Sequence, residues 1–359
     1  MPTSPAPKDL RVCCNKFPLR WRLVLALLVL LAIVLPARAK ELIPVTIVQS
    51  SLSFNFVPLM VAQGEGYYKQ EGLDVSVVLA GGGPKAMTAL IGGGGQFSSS
   101  VLFDGMMAHR RGLNDVRAMA TLSYFQGPMA VRADIARQRG ISLDQPLKQR
   151  LLAMKGLRIG ITTPGATSDL FMRYLFRRAG MNPDQDLEIV PLGGVSTQVA
   201  ALQGGRVDGC SCLPPVDVLT AREGLTVNVI DRMKDMPELA GVTYGTLYGL
   251  ASYNQAHPEV ALAMARAVTR ATLLIAHDPD AARRATRPFL KEMDDAAFDA
   301  AWATYLPVFP TNPDLTQASF DKELEFEKSV LPASNSAPVA YDQAVDASFV
   351  HKAMQELAH

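Results

Sequence analysis

Apolar and polar positions along the chain fall into two alternating rhythms. Short apolar runs bounded by glycine, serine and threonine read as strands, and stretches with apolar side chains three or four apart read as helices. Val45 to Gln49 is a first strand. A polar loop bearing aromatics follows, Ser50 to Phe56, and then Val57, Met60 and Val61 at helical spacing up to Gly64. Leu73 to Leu79 is a second strand ending in Gly81-Gly82-Gly83, and Pro84 opens the next helix, where its missing N–H costs nothing. The rhythm returns further on. Leu157 to Ile161 is a strand, and Thr162 to Ser168 is a turn that opens a helix with Phe171 and Leu175 on one face. Asp169 in the first turn, Arg177 and Arg178 in the last, and Gly180 as the stop suit the helix dipole and its C-terminal cap. Leu187 to Pro191 is the next strand. Strand and helix in alternation predict α/β architecture with parallel sheets.

The two units repeat one another. Thr88-Ala89-Leu90-Ile91-Gly92-Gly93 precedes Gln96-Phe97-Ser98-Ser99-Ser100, and 112 residues later Ala200-Ala201-Leu202-Gln203-Gly204-Gly205 precedes Asp208-Gly209-Cys210-Ser211-Cys212. Helix, glycine turn, short strand and small-residue loop recur in the same order, which points to two similar lobes. The remainder reads as helices: His257 to His277, with Val260, Met264, Val268 and Leu273 as its buried side, then 281–290, 296–304, 314–330 and 342–357, with a linker at Leu331 to Ala340. Helices appended after the second unit suggest that the chain returns to the first lobe. The expected division is lobe I at 40–128, lobe II at 129–245, and a return to lobe I with the C-terminal helices at 246–359. The hinge crossings are expected near Gly127–Arg132 and Tyr244–Ser252, where Tyr124 and Phe125 would serve core or hinge packing.

Composition narrows the class. The chain has 359 residues, 48% apolar and 19% charged, an ordinary globular balance. Lys16, Arg20 and Arg22 precede the apolar run Leu23 to Leu35, and Pro36 and Ala37-Arg38-Ala39 follow it. This reads as a secretory leader, 1–39, expected to be cleaved before Lys40, with an uncleaved membrane anchor as the competing reading; the run is too short to span a bilayer comfortably. No later segment reads as long and apolar enough to span. The leader holds six basic residues and one acid out of 35 and 34 in the chain, so the remainder carries 29 and 33, a net charge of −4. A mildly acidic surface without a basic stripe argues against nucleic acid as partner. Cys13 and Cys14 leave with the leader. Cys210 and Cys212 are expected as buried free thiols, because a bridge across one residue is unusual even in an oxidising compartment. The histidines His109, His257, His277, His351 and His359 show no metal-ligand spacing, so no metal and no cofactor are expected.

Ligands of open α/β sheets sit beyond the carboxyl ends of the strands. The loops Ser50–Phe56, Gly81–Pro84, Ser98–Ser100, Thr162–Ser168 and Ser211–Pro215 qualify, and all are rich in hydroxyls and backbone N–H groups. Phe54 and Phe56 either stack on a ligand or anchor their loop to its own lobe. Gly81-x-Gly83-x-x-Ala86 matches a dinucleotide fingerprint, but it follows the second strand rather than the first, and Pro84 blocks the approach. The sequence carries no phosphate-binding P-loop motif, no G-x-S-x-G elbow and no H-E-x-x-H pair. The loops offer groups for holding a ligand and almost none for general acid–base chemistry, so the chain reads as not an enzyme.

Three motifs then resemble a known family. Ala62-Gln63-Gly64-Glu65-Gly66-Tyr67-Tyr68-Lys69-Gln70-Glu71-Gly72-Leu73-Asp74-Val75, Lys155-Gly156-Leu157-Arg158-Ile159-Gly160-Ile161-Thr162-Thr163-Pro164-Gly165 and Ala201-Leu202-Gln203-Gly204-Gly205-Arg206-Val207-Asp208-Gly209 are similar to the nitrate/sulfonate/taurine-type solute-binding proteins of ABC importers, a group related to thiamine pyrimidine-precursor binders. The resemblance spans about residues 43–280. It implies a type II periplasmic-binding-protein fold, two α/β lobes joined by a two-segment hinge. The protein would be periplasmic and monomeric, delivering a small organic or oxyanionic ligand (sulfonate-, nitrate- or pyrimidine-like) to a membrane ABC permease by hinge closure. The ligand contacts it implies are Ser51, Phe54, Asn55, Gly82, Ser99, Ser100, Gly165, Ala166, Thr167 and Pro214, with Thr163 or Thr167 supplying a hydroxyl. The candidate loops depart from an anion site in holding no arginine, with Lys85 their nearest cation. Related pyrimidine synthases need a histidine and a metal-binding cysteine cluster; Cys210-Ser211-Cys212 is a poor match for that. A ligand sensor of the same fold, engaging a membrane kinase instead of a permease, is the alternative, and a secreted pyrimidine-synthase-like enzyme is a further one.

Overall fold

The computed structural model describes residues 41–331 and 337–358. The expected leader, its cleavage site and part of the expected linker lie outside the described residues.

The strands are β1 Ile43–Gln49, β2 Leu73–Leu79, β3 Phe97–Val101, β4 Val116–Thr121, β5 Met129–Arg132, β6 Arg158–Ile161, β7 Glu188–Pro191, β8 Gly209–Ser211, β9 Thr226–Asn228 and β10 Gly245–Leu250. They form two five-stranded sheets, β2-β1-β3-β10-β4 and β7-β6-β8-β5-β9, both within the single unit Leu42–His359. The sheets share one topology. In the first, β1 pairs parallel with β2 and β3, and β10 enters antiparallel beside β3. In the second, β6 pairs parallel with β7 and β8, and β5 enters antiparallel beside β8. Each sheet therefore takes its antiparallel strand from a crossing of the chain. Val45, Ile47 and Val48 are buried, as are Ile159 and Ile161. The short apolar runs are what strands covered on both faces require.

The helices used below are α1 Val57–Gly64, α2 Gly83–Ile91, α3 Leu102–Arg110, α4 Thr167–Arg178, α5 Val195–Gln203, α6 Val216–Arg222, α7 Pro258–His277, α8 Pro279–Thr286, α9 Asp295–Tyr305, α10 Gln317–Val330 and α11 Ser348–Leu357. The repeat seen in the sequence lands on equivalent parts: α2 leads to β3, and α5 leads to β8. Contrary to expectation, one later segment does meet the length and hydropathy of a membrane span, α7, but 67% of its apolar window is buried inside the fold. It packs against α1, α8 and α11. Val260, Met264 and Val268 are buried there, whereas Leu273 is half-exposed and Ile275 takes the inward position. Burying side chains of this size contributes about 1.5–3 kcal/mol each. The close approach of α1 is set by Gly64, where a Cβ would fall 2.3 Å from the Ala285 carbonyl oxygen.

The chain passes between the sheets at 122–128 and 229–244, ahead of most of the segments expected to do so, which are instead β5 and β10 themselves. Their apolar content serves the sheets. The crossings are zipped together: Tyr124 bridges Thr243, and the Phe125 and Tyr244 N–H groups donate to the Val242 and Ser123 carbonyls at 2.8 Å. Phe125 sits at their centre, 5.0 Å from the Phe171 ring and 5.1 Å from those of Tyr244 and Phe326. Helix α10 spans both sides, with Phe320 in a cluster around Tyr248 of β10, and Phe326 and Val330 in the core around β6.

Candidate functional site

A cavity of about 630 Å³ opens between the carboxyl ends of β1 and β3 on one side and β6 and β8 on the other. That volume suits a small molecule. Of the residues expected from the sequence, Ser51, Asn55, Gly82, Ser100, Ala166 and Thr167 line it. Asn55 is held in the turn that follows β1, where Ser53 caps the turn by accepting from the Asn55 N–H. Asn55 is buried and its Oδ1 has no hydrogen-bond partner. Such an atom buried at a cavity wall marks a place for a donor from a ligand or water.

Phe54, Ser99, Thr163, Gly165 and Pro214 do not line the cavity. Phe54 points into the core of its own lobe, 5.6 Å from the Tyr305 ring and 6.2 Å from Phe298, so its loop is anchored rather than its ring offered to a ligand. Ser99 is fully buried; strand alternation sends it to the face opposite Ser100. Thr163 instead faces Gly82 across the cleft, 3.7 Å from where a Cβ on that glycine would lie. Gly165 already donates its N–H to Asp169 Oδ2 at 2.9 Å. The Pro214 carbonyl accepts from Ser53 Oγ at 3.0 Å, a hydrogen bond across the cleft.

Several lining residues were not foreseen. Gly193 and Gly194 follow β7 as Gly81–Gly83 follow β2, so extending the internal repeat by one loop would have found them. Tyr244 comes from the crossing, and Leu290 and Met293 from the segment between α8 and α9; no local pattern announces these. The most consequential is Asp104, buried in the first turn of α3. The Ser100 hydroxyl donates to its Oδ2. Burial pushes its pKa up to about 6 even though the Ser100 bond opposes the shift. Burial, with Asp104 nearby, also pushes the Tyr244 hydroxyl well up. Lys291 and Glu292 lie together at the exposed lip.

Cys210 and Cys212 are joined as a disulfide, correcting the expectation of free thiols, and Cys212 lines the cavity. Strand β8 ends at Ser211, and past it the backbone bends, bringing the two Cα atoms to 4.9 Å, closer than two residues of extended chain allow. Among the described residues, no group of His, Cys, Asp or Glu is placed to hold a metal.

Two lobes of one topology, with a ligand-sized cleft between their strand ends, define a bilobal fold of the periplasmic-binding-protein type. Residues 52–288 match the NMT1-like family, and the chain belongs to it. A putative binding protein, YtlA of Bacillus subtilis, is 22% identical over 88% of this chain and 92% of its own length. The nitrate/nitrite-binding protein NrtA of a Nostoc species is 31% identical, over 51% of this chain and 44% of NrtA. Among solved structures, the alkanesulfonate-binding protein SsuA of Xanthomonas axonopodis superposes with a TM-score of 0.62 at 15% identity, covering 83% of this chain and 99% of SsuA. The desulfurization enzyme DSZB matches with a TM-score of 0.62 at 16% identity, over 88% and 99%. Relatives and neighbours are thus mostly binding proteins, but the fold alone is shared with an enzyme.

Proposed function

We propose that this protein is the periplasmic solute-binding component of an ABC importer. In this reading a leader at 1–39 directs export, and lobes 40–128 with 246–359 and 129–245 close about a small molecule. The closed monomer then docks on a membrane permease. The observation that carries it is the cleft itself, lined from both lobes and bordered by the buried Asn55 Oδ1, which has no hydrogen-bond partner within the protein. Ligand contact with both lobes would favour the closed form. In this reading the hydrogen bonds of Ser53 to Pro214 and of the Tyr305 hydroxyl to Asp217 would hold that closed form. The named specificities of relatives make nitrate- and sulfonate-like solutes, and small organic molecules, the classes to try.

Binding rather than turnover is favoured by the lining. Its titratable side chains are Asp104, Tyr244, Lys291 and Glu292, and no histidine stands beside a nucleophile. The test is a thermal-shift screen on protein lacking residues 1–39, unfolded and refolded to strip any carried solute. A ligand at about 100 times its Kd adds ~2.7 kcal/mol, a rise of roughly 5 °C for a chain of this size. Small-angle scattering on the responding mixture should show a smaller radius of gyration. A rise without contraction, or product formation from a bound compound, would defeat the import reading.

A further inference from the structure

Resting on the solute-binding reading, we propose that the cavity selects a ligand bearing a protonated nitrogen group, an ammonium or amidinium, which pairs with Asp104 and donates to Asn55. The acceptors that await a partner define this choice. Asn55 Oδ1 is a buried acceptor without a donor. Asp104 is buried to 6% exposure in the cavity wall, and its one side-chain hydrogen bond comes from Ser100, a neutral hydroxyl. No arginine or histidine lines the cavity, and Lys291 stands at the solvent lip beside Glu292.

Two of the helix starts where an oxyanion would be expected, those of α2 and α4, are already taken, whereas that of α5 reaches the cavity at Gly194 and Val195 without a side-chain cap and on the wall opposite Asp104. Helix starts attract anions through unpaired N–H groups and the dipole. Asp104 Oδ2 lies so close to Gly83, the first residue of α2, that a Cβ there would fall 1.8 Å from it, and Asp104 is itself in the first turn of α3. One carboxylate thus stands at two helix starts. In the other lobe, the start of α4 is filled by Asp169, which accepts from the Gly165 N–H and pairs with Arg173 at 2.6 Å. A nitrate or sulfonate entering this space would meet a buried carboxylate with no cation to offset it, a costly juxtaposition. An ammonium or amidinium would instead supply the missing charge and the missing donors.

The acid faces Ser100 from β3, Tyr244 from the crossing at 229–244, Tyr248 from β10, Glu323 from α10, and more distantly Arg111. Glu323 is itself pushed well up by burial and by Glu327. Cation binding should therefore weaken as pH falls below about 6, where the Asp104 carboxyl takes up its proton.

The experiment is calorimetry and thermal shift on stripped protein with matched probes that differ only in head group: benzamidine, benzylamine, benzoate and benzenesulfonate, and the butyl amine, acid and sulfonate. The expected result is binding by amines or amidine at pH 7.5 and none by the acids and sulfonates. Asp104→Asn should weaken the nitrogen probes on the order of 10- to 100-fold, the range for losing a charged hydrogen bond. If that variant fails to fold, the wild-type pH profile stands in, with nitrogen-probe affinity falling toward pH 5, and Glu323→Gln should keep that profile. Stronger binding by acids or sulfonates, or nitrogen-probe binding indifferent to both Asp104→Asn and pH, overturns this inference while leaving the solute-binding reading intact. No response to any nitrogen probe also overturns this inference, and the solute-binding reading is then decided by the ligand screen and scattering described above.

Discussion

The two lobes place an aspartate in the same position and give it different work. Helix α3 follows the central strand β3 and carries Asp104 in its first turn; α6 follows the matching strand β8 and carries Asp217 there. Both carboxyls are buried, and burial pushes both pKa values up to about 6. Asp104 accepts from Ser100 of its own lobe and borders the cavity. Asp217 accepts from the Tyr305 hydroxyl, which α9 brings across the cleft. Duplicated architecture thus supplies two equivalent helix starts, one bordering the ligand space and the other tying the lobes together. A local scaffold can be copied while the partner that faces it decides its role.

The comparison presumes that the lobes are equivalent at their cores, and that is the largest effect to test. Ile47 in β1 and Ile159 in β6 are both fully buried, and each sits beside the first residue of the central strand, Phe97 or Gly209. Ile47→Ala and Ile159→Ala should each cost about 2–5 kcal/mol in urea unfolding. A cost under ~1 kcal/mol at either site would mean that lobe can collapse around the void, and the equivalence would fail.

Next in size is the pH response of the two acids. Each has a higher pKa folded than at its ordinary value, so the folded chain holds more protons between about pH 4 and 6. Their contribution to stability is therefore lost as pH rises through that window. A rise of about two pKa units corresponds to on the order of 3 kcal/mol for each. Asp217→Asn and Asp104→Asn lack this loss, so each variant should gain on the wild type between pH 4 and 7 in urea titrations of ligand-free protein. A gain at only one of them would separate the two environments; a constant difference across the range would remove the buried-acid account.

These roles lay at different depths in the sequence. The strand from Leu73 to Leu79 was legible to the residue, because apolar runs between glycines are a local signal. The opening of α4 was legible to within two residues, the helix starting at Thr167 inside the expected turn Thr162–Ser168, since caps and turns are also local. The loops carrying Ser51, Asn55, Gly82 and Thr167 were found because strand ends gather at a cleft. What stayed hidden depends on distant partners. Phe54 could line a pocket or anchor a loop until Tyr305 and Phe298 stood against it. Asp104 reads as an ordinary first-turn acid until burial and Gly83 are seen around it. The Asp217–Tyr305 contact joins residues 88 apart in the chain, beyond any periodicity.

The smallest expected effect separates the buried tie between the lobes from an exposed one made by the same helices. Arg222 of α6 reaches Asp294, the cap of α9, at 3.7 Å, with side chains 38% and 75% exposed. Exposed pairs of this kind contribute about 0–1 kcal/mol and are screened by salt. Asp294 keeps its own role in accepting from the Ala297 N–H at 2.7 Å, so removing Arg222 does not uncap α9. Tyr305→Phe, in contrast, leaves the buried Asp217 without its donor and should cost about 1–3 kcal/mol. It should also shift ligand-free protein toward a larger radius of gyration in small-angle scattering. Arg222→Ala should leave both quantities nearly unchanged and its small effect should vanish in high salt. Were Arg222→Ala to open the protein as far as Tyr305→Phe, closure would rest on rim charge, and Asp217 would lose its place in the comparison with Asp104.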